Sequence, residues 1–129
     1  MERAVLVVVA AAVAASACGP SVRSATFTER SPRPRDHPVR VYSTQLPECD
    51  YEELGLVRVS EGMAFAVSLD AMLDALRERA REMGGDAVVG VTQISTTEGG
   101  TVTGQAVNLN TDDGLAGTVI RFSDADCTR

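Results

Sequence analysis

The sequence predicts an α+β domain, one amphipathic helix packed on a mostly antiparallel sheet of four or five strands. Three observations predict it. Between Ser68 and Met83 the residues Leu69, Met72, Leu73, Leu76, Ala80 and Met83 recur at helical spacing, while Asp70, Asp74, Arg77, Glu78, Arg79, Arg81 and Glu82 fill the opposite face. Directly after it, Gly84-Gly85 stops the helix and Ala87-Val88-Val89-Gly90-Val91 supplies a strand that is apolar on both faces. Around this pair stand short β-branched runs separated by Gly-, Asn- and Asp-containing breaks, the pattern of strands joined by turns. One helix among several strands makes a two-layer domain.

Taken in order, the chain opens on a targeting segment, residues 1–18. Met1-Glu2-Arg3 precedes an uninterrupted apolar run from Ala4 to Ala15. As a helix that run spans about 18 Å, well short of the ~30 Å hydrocarbon core, so a cleaved signal peptide fits better than a permanent span. Ala15-Ser16-Ala17-Cys18 resembles the bacterial lipobox, with Ala15 where Leu is usual. The same residues satisfy the small-x-small rule of ordinary signal peptidase, and plain secretion is the alternative. Cysteine parity favours a lipoprotein: of three cysteines, an acylated (palmitate-bearing) Cys18 leaves Cys49 and Cys127 as an even pair in an oxidising compartment. Gly19, in place of Asp, resembles lipoproteins sorted to the outer membrane. The expected location is therefore the outer membrane, lipid-anchored, facing the periplasm or the surface.

Residues 19–38, with Pro20, Pro32, Pro34 and Pro38 among Arg23, Arg30, Arg33 and Arg35, read as a disordered Arg/Pro-rich tether. Residues 39–129 read as the folded domain. Its expected strands are Val39–Ser43, Leu54–Ser60, Ala87–Thr96, Thr101–Leu109 and Ala116–Phe122, with turns at Glu98–Gly100 and Asn110–Gly114. Ser68 is the expected helix N-cap, Val67 and Met72 a hydrophobic staple, and Gly84 the left-handed stop.

VRVYS at 39–43, Leu54-Gly55-Leu56-Val57, Gly84–Val89 and Gly117-Thr118-Val119 together resemble the RcsF-like and YbjQ-like small domains. That resemblance implies the α+β fold and, on the RcsF-like side, an outer-membrane lipoprotein that reports envelope stress by contacting a partner protein. RcsF-type domains hold four cysteines in two disulfides, whereas this domain has Cys49 and Cys127. The YbjQ-like branch is soluble, which does not suit an export signal.

The charge balance, 12 Lys+Arg against 18 Asp+Glu and a net charge of −6, argues against nucleic acid as a partner. Cys49 and Cys127 read as a structural disulfide; two free thiols, or a metal site joined by His37, are the alternatives. His37 is the chain's one histidine and falls in the expected tether, so no nucleophile–histidine arrangement forms and no catalytic residue is assigned. Asp112-Asp113 and Asp124-Ala125-Asp126 lack the ligand spacing of a calcium loop and read as solvated turns. Gly84-Gly85 closes a helix instead of opening one, which removes the phosphate-loop reading. The expectation is a non-enzymatic envelope protein with a protein partner and no cofactor. A metal- or small-ligand-binding periplasmic or secreted domain is the alternative.

Overall fold

The structure is a computed structural model that describes residues 19–61, 67–103 and 106–128, with backbone alone over 96–103 and 106–112 and at 128. The signal segment with Cys18, and the crossover residues 62–66, lie outside the described residues.

The helix α1 forms where periodicity places it, at Leu69–Glu82. The Ser68 hydroxyl accepts from the Ala71 N–H at 3.2 Å and satisfies a first-turn donor. At the other end Gly84, at φ +86°, takes the left-handed conformation. Gly85 N–H then reaches the Ala80 carbonyl at 2.8 Å and Gly84 N–H the Arg81 carbonyl at 3.0 Å, a complete Schellman stop. Met72, Leu76, Ala80 and Met83 are buried, whereas Leu69 is 47% exposed and stays outside the core stripe.

The strands are β1 (Ser21–Thr26), β2 (Arg40–Val41), β3 (Tyr51–Ser60), β4 (Ala87–Thr103) and β5 (Ala106–Phe122), closed by a 3-10 turn at Ala125–Thr128. They form one five-stranded sheet in the order β1-β3-β5-β4-β2. All pairings are antiparallel except β2 with β4. The sheet is thus mixed and mostly antiparallel, and the fold is α+β as the helix-and-strand pattern requires. β5 inserts between β3 and β4, which makes β3-α1-β4 a split βαβ unit.

Two apolar layers follow from the period-2 alternation of the strands. Val57, Val59, Val88, Val91, Leu115 and Val119 face α1 and form the main core with its buried stripe. Burying Leu76 completely is worth about 2 kcal/mol. On the other face, at one end of the sheet, Ala87, Val89, Ile120 and Phe122 form a smaller cluster under Tyr42, Tyr51, Cys49 and Cys127.

Two expectations are corrected. The first is the tether. Ser21–Thr26 pairs with β3 in six consecutive positions, from Ser21↔Ser60 to Thr26↔Gly55, and is the edge strand of the sheet. From Phe27 to Pro38 the chain is a strap across the C-terminal end of α1. Phe27 and Thr28 N–H groups donate to the Leu54 carbonyl, and Arg33 N–H donates to the Arg81 carbonyl at 2.8 Å. Prolines suit this segment because extended backbone crossing a helix end has few N–H groups to satisfy. Within β1 Val22 alone packs against the core, so the strand has almost no apolar periodicity to reveal it.

The second correction concerns the turns at 98–100 and 110–114. β4 and β5 run through both and make one long hairpin, paired from Ala87↔Ile120 to Thr103↔Ala106. The Glu98-Gly99-Gly100 signal becomes an irregularity between Thr97 and Gly100. The outer part of this hairpin extends beyond the end of β3, whose pairing with β5 stops at Ser60↔Gly114. At the opposite edge, the expected strand 39–43 shortens to Arg40–Val41, continued by a Tyr42 N–H bond to Val88.

Candidate functional site

Asp86 is the buried charged residue of the described domain, its side chain fully enclosed at the junction of α1 and β4. Burying a carboxylate is costly unless its oxygens are fully engaged. Here they are. His37 Nε2 lies 2.6 Å from Oδ1, and Arg33 Nη2 lies 3.1 Å from Oδ1 and 3.2 Å from Oδ2. The Phe122 backbone N–H donates to Oδ2 at 3.0 Å. Two strap side chains therefore converge on one carboxylate from 53 and 49 positions away. Arg81 Nε donates to the His37 carbonyl at 2.6 Å and locks the strap from the helix side.

The strap is pinned a second time by Arg30, whose Nε and Nη2 donate to the two Glu52 oxygens at 2.6 and 2.8 Å. That hydrogen bond, helped by the charge of the pair, holds the Glu52 carboxyl below its ordinary range and raises Arg30. Both groups are over a third exposed, so the pair fixes geometry more than it adds stability. Gly84 completes the seat: a Cβ there would meet the Ser31 carbonyl oxygen at 2.6 Å.

Cys49 and Cys127 form a disulfide, with Cα atoms 6.3 Å apart. It ties the loop before β3 to the 3-10 turn after β5 and roofs the smaller cluster. With both sulfurs bonded to each other they offer no thiolate to a metal, and His37, the expected third ligand, is spent on Asp86. Among the described residues no group of three or more His, Cys, Asp or Glu converges as a metal would require. Of the acidic pairs, Asp113 lies in β5 and accepts from the Ser95 hydroxyl. Asp124 accepts from the Asp126 N–H at 3.0 Å and shapes the final turn.

Beyond the disulfide roof, the sheet face opposite α1 stays open. Arg23, Ala25, Leu56, Arg58, Ala116 and Thr118 line a shallow depression of about 520 Å³ there. Sequence reasoning missed Asp86, its two strap partners and this face. The signal for the first was present: an acidic residue directly before an apolar run, at a helix-to-strand junction, in a chain with one histidine.

No protein-family model and no curated protein matches this sequence. Among solved structures, the crystal structure of a Francisella virulence factor, FvfA, is similar at 18% identity, covering 81% of this chain and 99% of that chain, with a TM-score of 0.45.

Proposed function

We propose that this chain is a lipoprotein of the cell envelope, acylated at Cys18, whose α+β domain acts by binding another envelope protein and not by catalysis. The observation that carries the reading is the cysteine arithmetic after folding. The Cys49–Cys127 disulfide fits an oxidising compartment and leaves Cys18 as the odd cysteine, directly behind a 12-residue apolar run. The resemblance to RcsF-like domains supports the same layout and a protein partner. Asp86 suits a structural role in this reading: its oxygens already hold the strap through Arg33 and His37.

Intact mass of the mature protein from its native host tests the proposal. The expected product begins at Cys18, carries acyl chains, and gains two mass units on reduction. A product that retains Met1, or that begins at Cys18 without lipid, sinks it.

A further inference from the structure

We infer that the free edge of β1 pairs antiparallel, across a two-fold axis, with β1 of a second copy of the chain anchored in the same leaflet. The inference rests on the acylation proposed above.

The edge comes first. β1 closes one side of the sheet, and β2, which closes the other, is only two residues long. Short strands, prolines and bulges keep a sheet from pairing further, and β1 has none of these over its six residues. All of them but Val22 are exposed. Phe27 N–H donates to the Leu54 carbonyl, one step beyond Thr26↔Gly55 in the same register. By alternation, Val22, Ser24 and Thr26 turn their N–H and C=O groups away from β3. Among the described residues no bond reaches those outward groups.

Register comes second. With Ser24 on the axis, Val22 of each copy faces Thr26 of the other. All three residues turn outward, and each such pair exchanges two N–H···O bonds, so the contact closes about six. Arg23 then stands opposite Ala25 of the second copy, and like charges are not directly opposed. Two β-branched Val–Thr pairs form on the α1 face, where Val22 already packs on the core. Sliding one way sets Arg23 against Arg23 and Thr26 against Pro20, which has no N–H. Sliding the other way leaves Val22 facing Thr28, past the end of the strand. One register therefore suits backbone, charge and side chains together.

The anchor comes third and selects the partner. Cys18 stands three positions before Ser21, and an extended chain covers at most about 10 Å in that span. Every copy thus holds β1 close to the membrane. A two-fold axis normal to the sheet leaves both chain starts at one height, with the two Ser21 residues roughly 20 Å apart. Both anchors then reach the same leaflet. One six-residue strand pair is small for a stable interface between freely diffusing molecules, and confinement to a leaflet supplies the local concentration it needs.

The test uses the acylated full chain in preformed phosphatidylcholine vesicles. In it Cys18 is blocked and Cys49 is paired with Cys127, so each introduced cysteine is the single free thiol. Ser24→Cys puts two thiols across the axis with Cα atoms about 5.5 Å apart, within disulfide reach. Under mild oxidation by copper phenanthroline it should link about tenfold faster than Glu78→Cys, exposed on α1. Mixed Arg23→Cys and Ala25→Cys copies, which stand opposite each other, should link about tenfold faster than either variant alone. Thr26→Pro removes one outward N–H without touching the β1–β3 bonds, and should abolish the Ser24→Cys link. If that variant lacks a cooperative melt, the mixed-copy comparison decides by itself.

Ser24→Cys linking no faster than Glu78→Cys overturns the inference, as do equal rates for mixed and unmixed copies. A Ser24→Cys link that survives a folded Thr26→Pro overturns it as well. Linking in native membranes only to a chain of different mass also overturns it and gives the edge to another protein's strand. Absence of acyl mass on Cys18 overturns the proposed function along with it, whereas an acylated chain that stays unlinked overturns the pairing alone.

Discussion

Asp86 shows how one residue can decide whether a segment is tail or domain. Its carboxylate is enclosed and takes hydrogen bonds from His37, Arg33 and the Phe122 N–H, so removing it leaves an arginine and a backbone donor without their partner. Asp86→Ala is expected to cost about 3 kcal/mol, read as a lower urea midpoint with unchanged slope. Arg77→Ala, which breaks an exposed pair with Asp74 on α1, should change the midpoint by less than about 1 kcal/mol equivalent. Asp86 itself carries a local signal, standing directly before an apolar run, but its partners were not legible in the sequence, because nothing local marks the pairing. Arg30 finds Glu52 at a separation of 22, and Arg33 finds Asp86 at 53. Periodicity and capping rules operate within a few turns and do not see such distances.

At the scale of elements the contrast is sharp. α1 could be read to within a residue because its cap, its apolar stripe and its glycine stop all lie between Ser68 and Gly85, and each acts on its own neighbours. β1 could not, because six residues that bury little beyond Val22 carry no alternation. The β4–β5 hairpin was misread for another reason: glycines and acidic residues that favour turns are also accommodated by an irregularity between long paired strands. The strap gives a direct check. A chain beginning at Val39 is expected to lose its cooperative unfolding transition in circular dichroism, since β3 loses an edge partner and Asp86 loses both strap side chains that engage its oxygens. A passive spacer would leave that transition where it was.

For the molecule as a whole, the helix-facing core and the disulfide-roofed cluster occupy opposite faces of one sheet and are stabilised by different means. The first depends on apolar burial. The second is small and depends on a bridge that spans 78 positions, whose closure constrains the unfolded chain by about 4 kcal/mol. A Cys49→Ala/Cys127→Ala variant should fall in stability by that amount, measured by urea unfolding. Its loss of amide protection should be largest near Tyr42, Tyr51 and Phe122 and small in α1. The α+β class was legible because a lone amphipathic helix among β-branched runs has few ways to hide its apolar stripe. Sheet order was not, since β5 enters between β3 and β4 through contacts no local pattern announces.

The direction of β1 has a mechanical consequence. A pull on the chain ahead of Ser21, along the strand axis, stresses all six of its pairings with β3 at once, as shear; a sideways pull opens them one after another, like a zip. Such a joint holds against drag in line with the sheet and yields to twisting or lifting, so this edge responds to the direction of a force as much as to its size.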